Sequence, residues 1–332
     1  MQQSERLLPF EEKQKTKKIL IKSEATTDEK YGSRPESRST EELLKRGVII
    51  LDKPSGPTSH QAADYLKRVL HVSKAGHSGT LDPGVTGVLP IALQESTRIT
   101  NALLTAGKEY VCLMHVHQDI PQEKLMEVLN KFKGKITQLP PKKSAVKRQL
   151  RDRTIYYLDV LEIKEKDVLF IVGCQAGTYI RKLVHDIGAK LGCGAHMAEL
   201  RRTKAGPFKE NQAFILQDIA DAFHYYKNGD DSELRKMLMP VESATQHLEK
   251  IWVHDAAINT MCHGAFLKVP GILKFDSDIK RGDIVAVMSL KEELVLIGEA
   301  EMNSGELMKK EKGIAVKTLQ VFMQPDAYPK YQ

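Results

Sequence analysis

The chain has 332 residues, 41% hydrophobic and 28% charged, the composition of an ordinary globular protein with length enough to bury two cores. No apolar run approaches the roughly eighteen residues that a membrane helix needs, which excludes a helical membrane protein. The formal net charge of +7 is modest, so any polyanion partner must be met by local concentrations of charge rather than by the chain as a whole.

Met1 to Phe10 lacks the apolar core and small-residue cleavage site of a secretory signal, which points to the cytoplasm. Residues 1 to about 45 are rich in Lys, Glu, Ser and Thr with little apolar periodicity, and read as a partly disordered extension available for docking. Gly47 to Leu51 is a short apolar strand running into the turn-rich Asp52-Lys-Pro-Ser-Gly-Pro57. Thr58 or Ser59 then caps a helix whose apolar stripe is Ala62, Leu66, Val69 and Leu70. A glycine-punctuated loop, Gly76 to Gly87, leads to a strand over Val88 to Leu93, and a helix through Leu103 and Leu104 ends near Gly107.

The strand Tyr110 to His117 alternates Tyr110, Cys112, Met114 and Val116 on one face. Pro121 opens a helix with Leu125, Val128, Leu129 and Phe132 inward, closed by Gly134. Lys131 to Arg153 holds nine Lys or Arg residues against the single acid Asp152 and is expected as a long loop. Strands over about Ile155 to Ile163 and Val168 to Ile180 precede a helix carrying Leu183, Val184, Ile187 and Leu191. A second basic excess, seven residues against Asp186 and Glu199, spans Arg181 to Lys209. A strand near Ala198 to Thr203 and two helices up to about Leu248 finish this part. From Ile251 the texture changes to short β-prone runs, Phe266 to Val269, Ile284 to Met288, Leu294 to Ala300 and Ile314 to Val321, which suggest a small barrel. The four cysteines stand far apart without C-x-x-C spacing, against both a disulfide framework and a zinc cluster.

Asp82 lies in Asp-Pro-Gly, a pattern that by itself describes a β-turn. Gly177-Thr-Tyr-Ile-Arg181, if extended, turns Tyr179 and Arg181 to one face, so that both reach one pocket. A guanidinium beside a carboxylate favours the ionised acid and orients it, and an aromatic ring offers a stacking surface for a base. Taken singly, Arg181 is equally a structural ion pair, and Tyr179 and Tyr110 are ordinary core residues. His115-x-His117 and Cys193-x-x-His196 are each incomplete as metal sites, so no metal is expected, and a metal-dependent nuclease has only basic charge and these histidines in its favour.

The motifs in order resemble the TruB/dyskerin family of pseudouridine synthases, from about residue 40 to 325. Lys45 to Pro54 with Gly56-Pro-Thr-Ser59 resembles its opening motif, and Gly76 to Gly87 its catalytic loop. Lys108-Glu-Tyr110, Cys174 to Gly188 and Ala195 to Arg202 resemble the motifs that follow. The resemblance implies an α+β fold: a mixed, mainly antiparallel-sheet catalytic domain over 46–246, preceded by the extension 1–45 and followed by a PUA β-barrel over 247–326. It makes Asp82 the nucleophile or base of uridine isomerisation, with Tyr110 stacking on the uracil, Tyr179 contacting the nucleotide and Arg181 pairing with Asp82. Leu200 becomes an apolar wall and His77 a neighbour of the flipped base, while Lys53 and Pro54 buttress the loop. No cofactor is implied, since the isomerisation changes neither redox state nor composition.

Thr58-Ser-His60, Ser144 to Arg148 and the extension are similar to the archaeal enzymes of box H/ACA ribonucleoproteins. That branch implies three classes of partner: tRNA at the T-loop uridine, guide RNA with rRNA, and small accessory proteins. Lys142, Lys143, Lys147, Arg148, Arg151 and Arg153 would form a mobile clamp on RNA. The alternative is a non-catalytic RNA-binding scaffold, whose mark would be a degraded catalytic loop; this one is intact.

Overall fold

The computed structural model describes residues 6–141 and 147–330. The described part of the amino-terminal extension joins both halves of the molecule. Helix α1 (Pro9–Thr16) opens on proline, whose missing N–H is no loss in a first turn, and Leu8 before it is fully buried. Strand β1 (Ile19–Ile21) pairs antiparallel with the carboxy-terminal domain, Leu20 opposite Phe275. Sequence alone marked this segment as partly disordered, because three residues of strand acquire meaning only from a partner some 250 positions away.

Helix α2 (Thr40–Arg46) is capped by Ser39 with Glu42 reaching back, and it delivers the chain into β2 (Gly47–Lys53). Thr58 caps α3 (Ser59–Val69), accepting from the Gln61 N–H. Then follow β3 (Ala75–His77), β4 (Thr86–Leu93), α4 (Thr100–Leu104), β5 (Lys108–Val116) and α5 (Gln122–Lys131). Gly134 does not close a helix; it starts β6 (Gly134–Gln138), which pairs with the beginning of β7 (Arg151–Lys164). The basic segment is therefore only partly loop, and Arg151 and Arg153 lie on a strand. Lys142 and Lys143 fall outside the described residues.

Strand β8 (Asp167–Cys174) stops well short of Ile180. The chain turns at Gln175, whose carbonyl accepts from the Thr178 N–H, and α6 (Ile180–Leu191) begins directly after Tyr179. Tyr179 and Arg181 thus lie at a helix start rather than on a strand face. After β9 (Ala195–Ala205) and β10 (Phe208–Lys209) come α7 (Leu216–Lys227), α8 (Ser232–Met237) and β11 (Leu238–Pro240). Together these strands form one ten-stranded sheet, ordered β11-β2-β4-β9-β5-β8-β7-β6, with β3 beside β4 and β10 beside β9. Every named pairing in it is antiparallel except β4 with β9.

The second domain contains β12 (Glu249–Val253), α9 (Asp255–Cys262), β13 (Leu267–Lys268), β14 (Ile272–Asp276), β15 (Ile284–Met288), β16 (Leu294–Ala300), α10 (Ser304–Lys309) and β17 (Ile314–Val321). Its seven strands, ordered β1-β14-β12-β15-β16-β17-β13, close over an apolar core that includes Ile251, Phe275, Val285, Val295 and Val316. The two domains are joined by a shared apolar cluster rather than by a bare linker. Val48, Ile50 and Val88 of the catalytic sheet pack in one cluster with Trp252, Ala286, Met288 and Leu294. Trp252, the sole tryptophan, is buried in this seam, its indole N–H donating to Glu292 and Lys274 lying 4.8 Å over its ring.

Candidate active site

Asp82 is presented by the turn between β3 and β4. Its carbonyl accepts from the Val85 N–H, so the Asp-Pro-Gly sequence does form the turn that its sterics favour. What distinguishes the turn is its scaffolding. Lys53, fully buried at the end of β2, donates its ammonium to the carbonyls of Pro54 at 2.8 Å, Pro83 at 3.0 Å and Val85 at 2.9 Å. Burial pulls the Lys53 ammonium below the usual lysine range, the nearby Arg202 charge adds to this, and Asp82 opposes it. On the other side of the turn, the Ser59 hydroxyl accepts from the Leu81 N–H at 2.8 Å and donates to its carbonyl at 3.1 Å. Backbone polar groups next to the carboxylate are thereby held by side chains of β2 and α3.

Arg202 of β9 lies beneath the loop. It is 1% exposed, and its guanidinium donates to the carbonyls of Val88 at 2.7 Å and Gly79 at 2.9 Å, which flank Asp82 in sequence. Burial lowers its pKa, opposed by the nearby Tyr110 hydroxyl. Gly87 meets β9 so closely that a Cβ there would lie 2.2 Å from the Arg202 carbonyl oxygen, and its φ of +103° is unsuited to any other residue.

Arg181, in the first turn of α6, places one guanidinium nitrogen 3.0 Å from a carboxylate oxygen of Asp82, across 99 positions of sequence. Both side chains are 61% exposed, so the pair contributes at most a fraction of a kcal/mol to stability and its effect is orientation. Tyr179, partly exposed, is fixed by a two-way bond with buried Gln138: its N–H donates to the amide oxygen at 3.0 Å, and its carbonyl accepts from the amide nitrogen at 3.2 Å. Tyr110 has a partly exposed ring, and burial pushes its hydroxyl pKa up while the Arg202 charge opposes that. The charge of Asp82 is felt at both Tyr110 and Lys53.

Leu200, partly buried on β9, packs on the same apolar cluster as Tyr110. His77 on β3 is held below the usual imidazole range by burial first, then by His60 and Arg202, and its Nδ1 has no partner among the described residues. Pro54 is exposed and enters through its carbonyl. Lys147 and Arg148 are exposed, whereas Arg151 and Arg153 are half-buried at the start of β7. The Arg153 guanidinium lies against Gly177, which connects the basic segment to the turn carrying Tyr179 and Arg181. Among the described residues no helix is long and apolar enough to cross a membrane.

Residues 67–124 and 115–180 match the TruB family pseudouridylate synthase N-terminal domain, and 181–246 match the tRNA pseudouridylate synthase B C-terminal domain. Residues 249–322 match the PUA domain, and 8–63 the DKCLD domain. The chain is 52% identical over 328 residues to the probable tRNA pseudouridine synthase B of Thermococcus kodakarensis, covering 98% of this chain and 96% of that one. Its counterpart in Pyrococcus horikoshii is 53% identical, with 98% and 97% covered. A solved H/ACA RNP bound to a substrate RNA containing 2'-deoxyuridine superimposes with a TM-score of 0.92 at 50% identity, over 98% of this chain and 99% of that one. A Cbf5-Nop10-Gar1 complex does so with a TM-score of 0.92 at 53% identity, over 95% and 97%. With a family match through both halves of the catalytic sheet and relatives above half identity over nearly the whole length, the chain belongs to the TruB/dyskerin family of pseudouridine synthases that carry a PUA domain.

Proposed function

We propose that this chain isomerises uridine to pseudouridine in RNA, acting alone on the T-loop uridine of tRNA and, with a box H/ACA guide RNA and accessory proteins, on rRNA. The observation that carries the reading is the Asp82–Arg181 pair, assembled from a rigidly scaffolded loop and a helix start beside Tyr110 and Tyr179. The bond from ribose to ring nitrogen breaks and a bond from ribose to ring carbon forms. The hydrogen on that carbon leaves as a proton and the freed nitrogen gains one, so no cofactor enters the balance. Asp82 is the carboxylate that acts on the nucleotide, and Arg181 holds it in place. The base must leave its stack to reach Asp82, and Tyr110, Tyr179, Leu200 and His77 then border it. Lys147, Arg148, Arg151 and Arg153 form a basic wall for the phosphates. The relatives solved with substrate RNA and with Nop10 and Gar1 support the same classes of partner here. The unpaired cysteines, three of them buried, suit a reducing cytoplasm.

The test is an unmodified tRNA transcript incubated with the purified chain and with Asp82→Asn, pseudouridine being quantified at the T-loop. Product from the wild type alone, with RNA binding equal in the two, is the expected result. Equal product from both would remove Asp82 from the chemistry. No product from either, even with guide RNA and accessory proteins, would favour the RNA-binding scaffold.

A further inference from the structure

The aim of Arg181 depends on where α6 begins, and the sequence at that point carries no local cap. Tyr179 stands at the capping position with φ −99° and ψ 104°, and its side chain makes no bond to the helix start. Three residues on is Lys182, a donor only, so the reach-back of a glutamate or glutamine to the capping N–H is not available within the helix. Arg181 is the second residue of α6, so looseness in this start passes directly to its guanidinium. The missing acceptor comes from 41 positions upstream. Gln138, the last residue of β6 and 2% exposed, accepts from the Tyr179 N–H at 3.0 Å and donates to the Tyr179 carbonyl at 3.2 Å. That carbonyl also accepts the first helical bond of α6, from the Leu183 N–H at 2.9 Å. Strand β7 holds the other end of the turn: the Gln175 N–H donates to the Thr154 carbonyl at 2.8 Å, and the Thr154 N–H donates to the Gln175 side-chain oxygen at 3.1 Å. Gln138 lies opposite Arg151 and Thr154 opposite Lys135, so both anchors stand on one antiparallel hairpin.

We infer that, on the reading of Asp82 and Arg181 given above, Gln138 is a positioning residue of the isomerisation: it fixes the first turn of α6 and so holds the Arg181 guanidinium on Asp82. The Asp82–Arg181 pair is solvent-open at both ends and does not fix its own geometry, because an exposed ion pair gains little over the side-chain entropy it costs. The geometry therefore comes from what holds each partner. Lys53 and Ser59 hold the Asp82 loop through its backbone polar groups. Gln138 is their counterpart on the Arg181 side, and it too works through backbone polar groups. An amide suits the place. The Tyr179 N–H needs an acceptor and its carbonyl a donor, and a side-chain amide offers both from one carbon, where a carboxylate only accepts and an ammonium only donates. Buried at 2% exposure, the amide finds in Tyr179 a partner for each of its two ends, which compensates its removal from water. Its bonds go to backbone, so Gln138 acts through Arg181 and not on the nucleotide.

Single-turnover pseudouridine formation and tRNA affinity, measured for the wild type, Gln138→Met, Arg181→Met and the double variant, test the assignment. Methionine keeps the volume and removes both bonds. Gln138→Met should slow the chemical step about tenfold or more and leave the Kd for tRNA within about twofold of wild type. It should slow the Arg181→Met chain no further, since two changes that act through one contact are not additive. Where circular dichroism shows Gln138→Met unfolded, Gln138→Glu, the same shape without the donor, goes through the same cycle with the same expectations. Gln138→Met at the wild-type rate, or an equal slowing with and without Arg181, overturns the inference and leaves the Asp82–Arg181 reading in place. Arg181→Met at the wild-type rate overturns both.

Discussion

Arg181 meets Asp82 through a contact at 3.0 Å in a solvent-open pair, so the identity of the cation matters less to folding than to aim. Arg181→Met should leave the melting temperature within a degree or two of wild type while lowering the single-turnover rate on tRNA by about a hundredfold, the scale of a misplaced catalytic group. A similar fall in stability would instead make the pair structural. His247 shows a different kind of residue effect. Its Nε2 donates to the Ala102 carbonyl at 3.0 Å, its ring meets Phe10 edge-on, and burial pulls its pKa from 6.5 to about 4. The unfolded chain binds the proton first as pH falls, so the stability contributed by neutral His247 is complete above about 6.5 and is lost on descending to about 4. The loss should total about 3 kcal/mol. Denaturation titrations of wild type and His247→Phe across that range should converge in slope only if another group is responsible.

At the level of elements, the catalytic loop is held where β4 touches β9, and Gly87 is the point of contact. Gly87→Ala combines a left-handed φ with backbone overlap at Arg202, and should cost about 3 kcal/mol or more together with nearly all activity, read by urea unfolding and pseudouridine yield. Asp82, Tyr110, Tyr179 and Arg181 could be picked out as a set from motif order, yet the route by which they meet could not. The stretch before Arg181 looked extended, whereas Gly177 and Gln175 form a turn and α6 starts at Ile180. Strands β6 and β11 are five and three residues long, and their hydrophobic pattern is too short to separate from loop. Arg202 escaped because composition places arginine at the surface, and only the pairing of β4 with β9 reveals the carbonyls that compensate its burial. Gln138 escaped for the same reason: its partner is the backbone of Tyr179, 41 positions away.

At the scale of the whole molecule, the extension acts as a strap. Glu11 on α1 pairs with Lys204 of the catalytic sheet at 3.0 Å, while Lys17 pairs with Asp276 at 2.6 Å and Lys22 donates to the carbonyls of Leu307 and Lys310 on the other domain. Deleting residues 1–24 uncovers the edge of β14 and breaks these links, so unfolding, expected as one transition in the full chain, should divide into two, with the carboxy-terminal domain melting first in calorimetry. One transition at the original temperature would show the strap to be dispensable. The charge distribution fits the same division of labour: the basic segment flanks the turn that carries Arg181, while the carboxy-terminal domain is near neutral. The seam between the domains, meanwhile, encloses the chain's one indole between lysines and aliphatic side chains. Its intrinsic fluorescence is therefore a native optical gauge of that seam: a red shift on adding RNA would report water entering between the domains, and an unchanged emission maximum would report that they take up their substrate as a single rigid jaw.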